Sequence, residues 1–472
     1  MFAGSYGMER HYYEFMPVHP LLLAAVFRCA GPGVFQARFD TVIMGLMVLI
    51  LTYTLALRLF PDAPVGLLAV LFLLMVRLNG TTFVRLTGIL LLDVARVARY
   101  DIVVPVFGLT ALHAYLSARE KADNRWYFLA GLLAGLSGLA HLYGAFWLPV
   151  LVLLAMWHKR SWTSIGAMLL GFTLPWLLYV AYVLGGLNDW RGQMRANSVR
   201  FELLNPAWYM HNVLREFERY GPGLGRLRPA ILLRVGFWSA LVALPLSLGT
   251  LAWRALRQAD WAAQTLVTPI VIFPLLFAFL ITVKIANYSI AFLPLTAIAA
   301  AWGVRTLWVK MSHTGRARWV RPALAVLLTA VIAEGATRVA VLESAAATTS
   351  PYYDFIAKVR HHLPPGTRVL GLHNYWFGLE DYDYRSFWVP LSWADPGYEP
   401  QPVPFDAALD RLAPDIVIVD PKIRGYFDSI ESRGDPTPAL FRDWLQRHNA
   451  QLIVRLDDNT YGLMEIYGVD KN

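Results

Sequence analysis

Residues 92–104 read LDVARVARYDIVV: two acids, Asp93 and Asp101, and two arginines, Arg96 and Arg99, between apolar runs. The flanks are too apolar for a soluble protein, so these charges belong at a membrane boundary or in a polar cavity. Ionisable groups in such places are costly and mark a functional site by default. The plainer alternative is a loop that turns the chain between two spans with its charges in water. The rest of the chain has to separate the two.

Composition places most of the chain in a bilayer. Of 472 residues, 57% are hydrophobic, 14% aromatic and 16% charged, with mean hydropathy +0.44; soluble domains carry about 25% charged residues. In a soluble protein a formal charge of +9 would suggest nucleic acid. Here basic residues punctuate apolar runs, so membrane topology accounts for them and no nucleic-acid partner is expected. The single cysteine, Cys29, excludes an internal disulfide framework and a thiolate metal cluster. The opening MFAGSYGMERHYYEF lacks the basic-then-apolar order of a cleavable signal.

Outward from the central stretch, hydropathy predicts a polytopic α-helical membrane part over 1–342. The apolar run 19–30 is too short to span and suits an interfacial helix. Spans are expected at 39–57, at 65–84 with Arg77 interrupting, and at 102–118. Residues 126–157 carry no acid, lysine or arginine for about 32 residues, which suits a hairpin of two short helices turning near His141 and Gly144. Gly131, Gly135 and Gly138 stand at near-helical spacing, which lets helix backbones approach closely. Further spans are expected at 165–184, 231–253, 262–283, 285–308 and, weakened by Glu334 and Arg338, 322–342. The segment 185–229, rich in Arg, Asn, Trp and Tyr, is expected to be a long periplasmic loop.

When these spans alternate, the short basic connectors at Arg58, Arg119 to Arg125, Lys159 with Arg160, Arg254 with Arg257, and Lys310 to Arg321 share one side, the cytoplasmic one. The other side receives the N-terminal segment, the Asp93–Asp101 stretch, His141, the long loop, Lys284 and the tail. From 343 to 472 the composition becomes that of a soluble α/β domain of about 130 residues, expected on the periplasmic side. Three strand-like runs, RVLGL, DIVIVD and QLIVRL, alternate with helical patterns, which predicts parallel pairing, and DDNTYGLMEIYGV reads as a hairpin partner for QLIVRL.

The polar groups on the non-cytoplasmic side suit one chemistry. Arginine binds phosphate by bidentate geometry and lysine as a point charge. Carboxylates and histidine suit removal of a proton from a hydroxyl, or a metal bridging phosphate oxygens. The combination predicts a transferase that takes a group from a lipid phosphate. The alternative is a non-catalytic membrane protein that binds or transports a lipid-linked saccharide.

The runs ARYDIVVPVFGLTAL, FLAGLLAGLSGLAHLYG and KIANYSIAFLPLTAIAAAW resemble the GT-C fold membrane glycosyltransferases, of the protein-O-mannosyltransferase-like and aminoarabinose transferase-like kind (family 39 type). The segment from Met1 to Phe39 resembles the second part of that family's first large periplasmic loop. The resemblance covers the whole chain in layout, on short motifs. It implies a hexosyl or pentosyl transferase at the outer face of the inner membrane. The donor would be a polyprenyl-phosphate sugar, the acceptor a lipid, glycan or protein, with membrane lipids around it and inversion at the sugar.

Residue by residue, Asp101 matches the family's second-loop acid and, with Asp93, is a candidate catalytic residue. Lys284 and Tyr288 match a K-x-x-x-Y-like entry to a late span expected to touch the donor phosphate; snorkelling and an aromatic belt are the plain alternative. Arg99 either holds that phosphate or pairs with Asp101. His141, in HLYG, matches a recurrent family position or is a buried structural histidine. Glu14, with Glu9 and His11, lies on the acceptor side or in solvent. Arg195 and Arg200, with Asn197, suggest a flexible substrate cover. A divalent metal ion is left open, with Asp101 and His141 as candidate ligands. The family's main catalytic acid follows a first transmembrane helix, and this chain starts downstream of both. Either the sequence is N-terminally truncated or it is a relative without that acid. A truncation expects an in-frame apolar span and acid pair upstream of Met1, and a stop codon there removes the idea.

Overall fold

A computed structural model describes residues 13, 15–78, 86–198, 201–220, 235–311, 317–396, 399 and 401–470. Helices dominate to residue 361. The first are α1 (Val18–Ala30), α2 (Val34–Leu59), α3 (Ala63–Met75), α4 (Leu90–Ala95) and α5 (Val103–Lys121). α6 (Asn124–Ala140) and α7 (Trp147–Trp157) form the hairpin, and α8 (Trp162–Leu184) returns along it. The expected long loop is itself helical where described: α9 (Leu187–Ser198), α10 (Pro206–Leu214) and α11 (Phe217–Tyr220). Then come α12 (Val235–Arg257), α13 (Trp261–Leu280), α14 (Leu293–Met311) and α15 (Ala317–Ala347).

Local chemistry sets several helix starts. The Asp123 carboxylate accepts from Arg125 N, the Ser161 hydroxyl from Ser164 N, and the Asp260 carboxylate from Ala262 N and Ala263 N. Each side chain satisfies amide donors that the first helical turn leaves open. Among the described residues five helical stretches are long and apolar enough to cross a membrane: Val34–Leu59, Tyr100–Lys121, Trp162–Leu184, Trp261–Leu280 and Trp319–His361.

The expected span at 65–84 is corrected. Its helix stops at Met75, and 13 residues rise only about 20 Å, short of a hydrocarbon core of about 30 Å. Arg77, just past its end, donates to Thr87 O at 2.9 Å and to Glu334 Oε1 at 3.3 Å. Arg338 donates to Leu86 O at 2.9 Å. The charges that weaken the last span in the sequence are thus partnered, and α15 runs through them.

The glycine row packs as its spacing predicts. A Cβ on Gly131 would lie 1.9 Å from Met168 O, and one on Gly171 2.1 Å from Phe128 O, so α6 and α8 touch backbone to backbone. Gly131→Leu is expected to force the pair apart and cost about 3 kcal/mol or more. Thermal unfolding in detergent checks this, with Gly166→Ala, whose added Cβ meets open space, as the unchanged control.

The basic connectors meet at one end of the bundle. Arg58 pairs with Glu120 at 2.7 Å, Arg119 lies 4.2 Å over Trp261, and Arg305 reaches Asp62 at 2.7 Å.

The strand-containing C-terminal domain starts with α16 (Tyr352–His361) and carries β1 (Arg368–Gly371), β2 (Asp383–Ser386), β3 (Ile416–Val419), β4 (Gln451–Asp458) and β5 (Gly462–Gly468). Its helices are α17 (Trp388–Ala394), α18 (Phe405–Leu412), α19 (Pro421–Glu431) and α20 (Thr437–Arg447). The sheet order is β2-β1-β3-β5-β4, with β1 parallel to β2 and β3, and β5 antiparallel to both β3 and β4. Parallel pairing of all three strand-like runs is therefore corrected: the β4–β5 hairpin inserts β5 beside β3 and leaves β4 at the edge. Beside Asp383, the guanidinia of Arg368 and Arg385 hold its carboxyl below the usual range against the opposing effect of burial, which is the largest single influence. The domain meets the membrane part at the α1–α2 junction, where Val34 N donates to the Tyr353 hydroxyl at 3.2 Å and Phe27 meets Phe377 edge-on.

Candidate active site

Three short 3-10 turns build the site: Tyr100–Ile102 ahead of α5, Leu142–Phe146 between α6 and α7, and Ala286–Ala291 ahead of α14. Each leads directly into an apolar helix, and the third, through Ala286 and Ser289, lines an apolar cavity.

The first turn seals Asp101, whose side chain is 0% exposed, between two donors. Arg99 Nε donates to its Oδ2 at 2.6 Å and the Tyr143 hydroxyl to its Oδ1 at 3.1 Å. A charge-assisted pair with a second hydrogen bond is what lets a carboxylate be enclosed. Around it the aromatic rings close ranks. His141 packs on Tyr100 at 4.9 Å, on Tyr143 at 4.1 Å and on Tyr288 at 5.0 Å, and Tyr143 lies 4.8 Å from Tyr288. His141 also caps its own turn, its Nδ1 accepting from Tyr143 N at 3.4 Å.

Beyond Tyr288 stands a cation pair. Arg219 lies 4.6 Å over Phe277 and 5.8 Å over Tyr288, and donates to Ile285 O at 3.2 Å. Glu216 bridges it to Lys284: Arg219 Nε donates to Oε1 at 2.6 Å and Lys284 Nζ to Oε2 at 2.7 Å. Lys284 also donates to the carbonyls of Phe277 and Ala278 at the C-terminal end of α13, where the helix dipole favours a cation. The side chains of Arg219 and Lys284 are 0% and 1% exposed. Two enclosed cations thus share one carboxylate, which leaves a net positive charge in a place of low polarity. Arg219 and Tyr220 also line a cavity of about 490 Å³ whose walls, from α3, α4 and α12 to α15, are otherwise mainly apolar.

Of the residues singled out by sequence, the structure gathers Asp101, Arg99, His141, Tyr288 and Lys284 into this one constellation. Asp93 sits on its own turn: Thr87 N, Thr87 Oγ1 and Gly88 N donate to it at 2.9, 2.9 and 2.8 Å, with Arg96 at 3.7 Å. Asp93→Ala strands these buried donors and is expected to lower stability by about 1–3 kcal/mol, which thermal unfolding checks. Arg195 is exposed on α9. Glu14 and Arg200, with Glu9 and His11, lie outside the described residues. Sequence reasoning missed Arg219, Glu216, Tyr100 and Tyr143. The signal for the first two was the run REFERY at 215–220, with an acid and a base three residues apart.

Neither the family models nor the curated proteins give a match. Solved structures do. ArnT from Cupriavidus metallidurans bound to undecaprenyl phosphate superposes with TM-score 0.54 at 16% identity, over 97% of this chain and 88% of that one. The Archaeoglobus fulgidus oligosaccharyltransferase tethered with an acceptor peptide gives 0.54 at 11% identity, over 98% and 66%. The same enzyme in complex with Zn and sulfate gives 0.51 at 12%, over 89% and 61%. This chain therefore spans about 61% of the length of that oligosaccharyltransferase. Both neighbours are GT-C fold membrane glycosyltransferases, and this chain is a membrane protein with the GT-C fold.

A metal fares less well against the residues present. Among the described residues no three His, Cys, Asp or Glu side chains are grouped to hold an ion. Both Asp101 oxygens are taken by Arg99 and Tyr143, and His141 lies flat among phenols. The described donors do not fit a metal centre.

Proposed function

We propose that the chain moves a hexosyl or pentosyl group from a polyprenyl-phosphate donor to a hydroxyl of a lipid, glycan or protein acceptor, at the outer face of the inner membrane. The observation that carries this reading is the enclosed Arg219–Lys284 pair beside the apolar cavity: a cradle for an anionic head with room for its chain. The GT-C fold supports it, as does undecaprenyl phosphate in the ArnT structure.

In this reading Lys284, Arg219 and the Tyr288 hydroxyl hold the donor phosphate, with the half-exposed Arg99 on its other flank. The acceptor oxygen attacks the anomeric carbon, the carbon–oxygen bond to phosphate breaks with inversion, and the phosphate departs with the bonding pair. The acceptor proton passes to the Tyr143 oxygen as Tyr143 gives its own proton to Asp101 Oδ1. Asp101 is thus the terminal base, reached through the hydrogen bond it already accepts. Such proton transfer contributes about 10²- to 10⁴-fold. Asp93 holds the 87–93 turn that backs the site. His141 walls the acceptor side, and Arg195, Arg200 and Glu14 are assigned to the acceptor approach. No step runs through a metal. The membrane part is 1–342, with 343–472 a domain roofing the site from the periplasmic side.

The complete enclosure of Asp101 favours one rival, a protein that binds lipid-linked saccharide without turning it over. Two measurements separate the readings. Protein in nanodiscs is expected to bind undecaprenyl phosphate far more tightly than undecaprenol. Membranes supplying native acceptors are expected to consume synthetic undecaprenyl-phosphate hexoses or pentoses with release of undecaprenyl phosphate. Binding without turnover establishes the rival, and equal binding of phosphate and alcohol removes both.

A further inference from the structure

The cradle contains its own anion, and the charge count around it has a consequence. Glu216 lies in the turn between α10 and α11, where Glu216 N donates to Val213 O and Arg219 N to Glu216 O, so backbone hydrogen bonds fix its position. Its carboxylate takes three hydrogen bonds from the two cations, from Arg219 Nε, Arg219 Nη2 and Lys284 Nζ, and Tyr220 of the cavity wall follows Arg219 in the chain. The neighbouring charges cancel: Arg215 pairs with Glu218 at 2.9 Å, and Arg99 with Asp101. Arg219, Lys284 and Glu216 together therefore carry one net positive charge.

We infer that Glu216 makes the site discriminate between a phosphodiester and a phosphomonoester on the same lipid chain, favouring the singly charged diester. This rests on the phosphate reading above and goes beyond it. A polyprenyl-phosphate sugar is a diester with one negative charge, which the triad neutralises with Glu216 in place. The released polyprenyl phosphate is a monoester carrying close to two charges at pH 8, since its second pKa lies near 6. With Glu216 still present, and with Asp101 returned to the carboxylate that cancels Arg99, that second charge has no partner. In an enclosed site an unpaired charge beside a like charge is strongly disfavoured, so the product is pushed out once Asp101 has lost the proton it took up. Glu216 then favours donor loading over product retention, at the expense of phosphate affinity.

The test uses two lipids that differ in charge and lack any sugar: undecaprenyl phosphate and its methyl ester, with undecaprenol as the neutral reference, on the full chain in nanodiscs at pH 8. The wild type is expected to bind the methyl diester about tenfold more tightly than the monoester. Glu216→Gln is expected to erase that preference, tightening the monoester about tenfold while moving the diester less than threefold. Two results overturn the inference: a wild type that prefers the monoester or is indifferent, or a Glu216→Gln protein in which both affinities fall together, as for a carboxylate that only props up the cations. The wild-type comparison decides even if the variant does not fold. A wild type that binds neither phospholipid better than undecaprenol fails the phosphate reading itself, a different outcome from either.

Discussion

Asp101→Asn is expected to remove sugar transfer while leaving capture of undecaprenyl phosphate within about threefold of wild type. The amide still accepts from one of the two donors that hold the carboxylate, so the turn ahead of α5 keeps its shape. It cannot take up a proton in the acceptor step, which costs about 10²- to 10⁴-fold in rate. Because the Arg99 side chain is 35% exposed, water can solvate the guanidinium that loses its counter-charge. The stability cost is then about 1–3 kcal/mol, below that of breaking a fully enclosed pair. Tyr143→Phe separates relay from packing. It keeps the ring contacts to His141, Tyr288 and Phe277 but removes the hydroxyl through which Asp101 is reached, so its rate should fall as far. Turnover of undecaprenyl-phosphate sugars by Asp101→Asn at the wild-type rate would show that no proton ends on this carboxylate. Asp93→Ala supplies the contrast, losing stability through its turn with activity falling only as folded protein is lost.

Much of this arrangement was legible in the sequence. Hydrophobic length foretells the helices at 34–59, 103–121, 162–184, 261–280 and 317–347 and the short hairpin, because an apolar run of about 32 residues has few other solutions, while the expected span at 285–308 is broken by the 286–291 turn. The glycine spacing 131–135 foretells backbone contact with α8 because a row of small residues on an apolar helix lets a neighbouring backbone approach closely. The polar residues at the breaks, Asp101, His141, Lys284 and Tyr288, converge because the three 3-10 turns pack together around the start of α5. What escaped depends on long-range partners. Arg77 looked like an interruption of a span, and only its bonds to Thr87 and Glu334 show that the helix ends before it. Arg219 is one of many arginines in a segment where α10 packs on α13 and α9 on α8, contacts that no local pattern announces. In the tail, β2 reads DYRS, a short and mostly polar edge strand, and the insertion of β5 between β3 and β4 is decided by hairpin geometry that no single run displays.

Lys284→Met is expected to weaken binding of undecaprenyl phosphate by at least about thirtyfold, in line with truncating one partner of an enclosed charge contact. The number matters less than its dependence on Glu216. With Lys284 neutral, Glu216 is matched one to one by Arg219 through the 2.6 Å bond, and the triad no longer carries positive charge. A phosphate arriving there would meet a balanced ion pair and lose its hydration without an electrostatic return. The double variant Lys284→Met with Glu216→Gln leaves Arg219 unopposed and restores one net positive charge, so it should recover much of the lost affinity although it is further from wild type. A purely structural role for Lys284, tying the end of α13 through the Phe277 and Ala278 carbonyls, predicts the reverse. The second substitution would then add to the damage, because the carbonyls remain without their donor and Arg219 loses its carboxylate. Titration of the two proteins and the wild type with undecaprenyl phosphate in nanodiscs, with unfolding temperatures measured alongside, tells charge from scaffolding. Rescue by the double variant would mean that net charge in the cradle governs recognition.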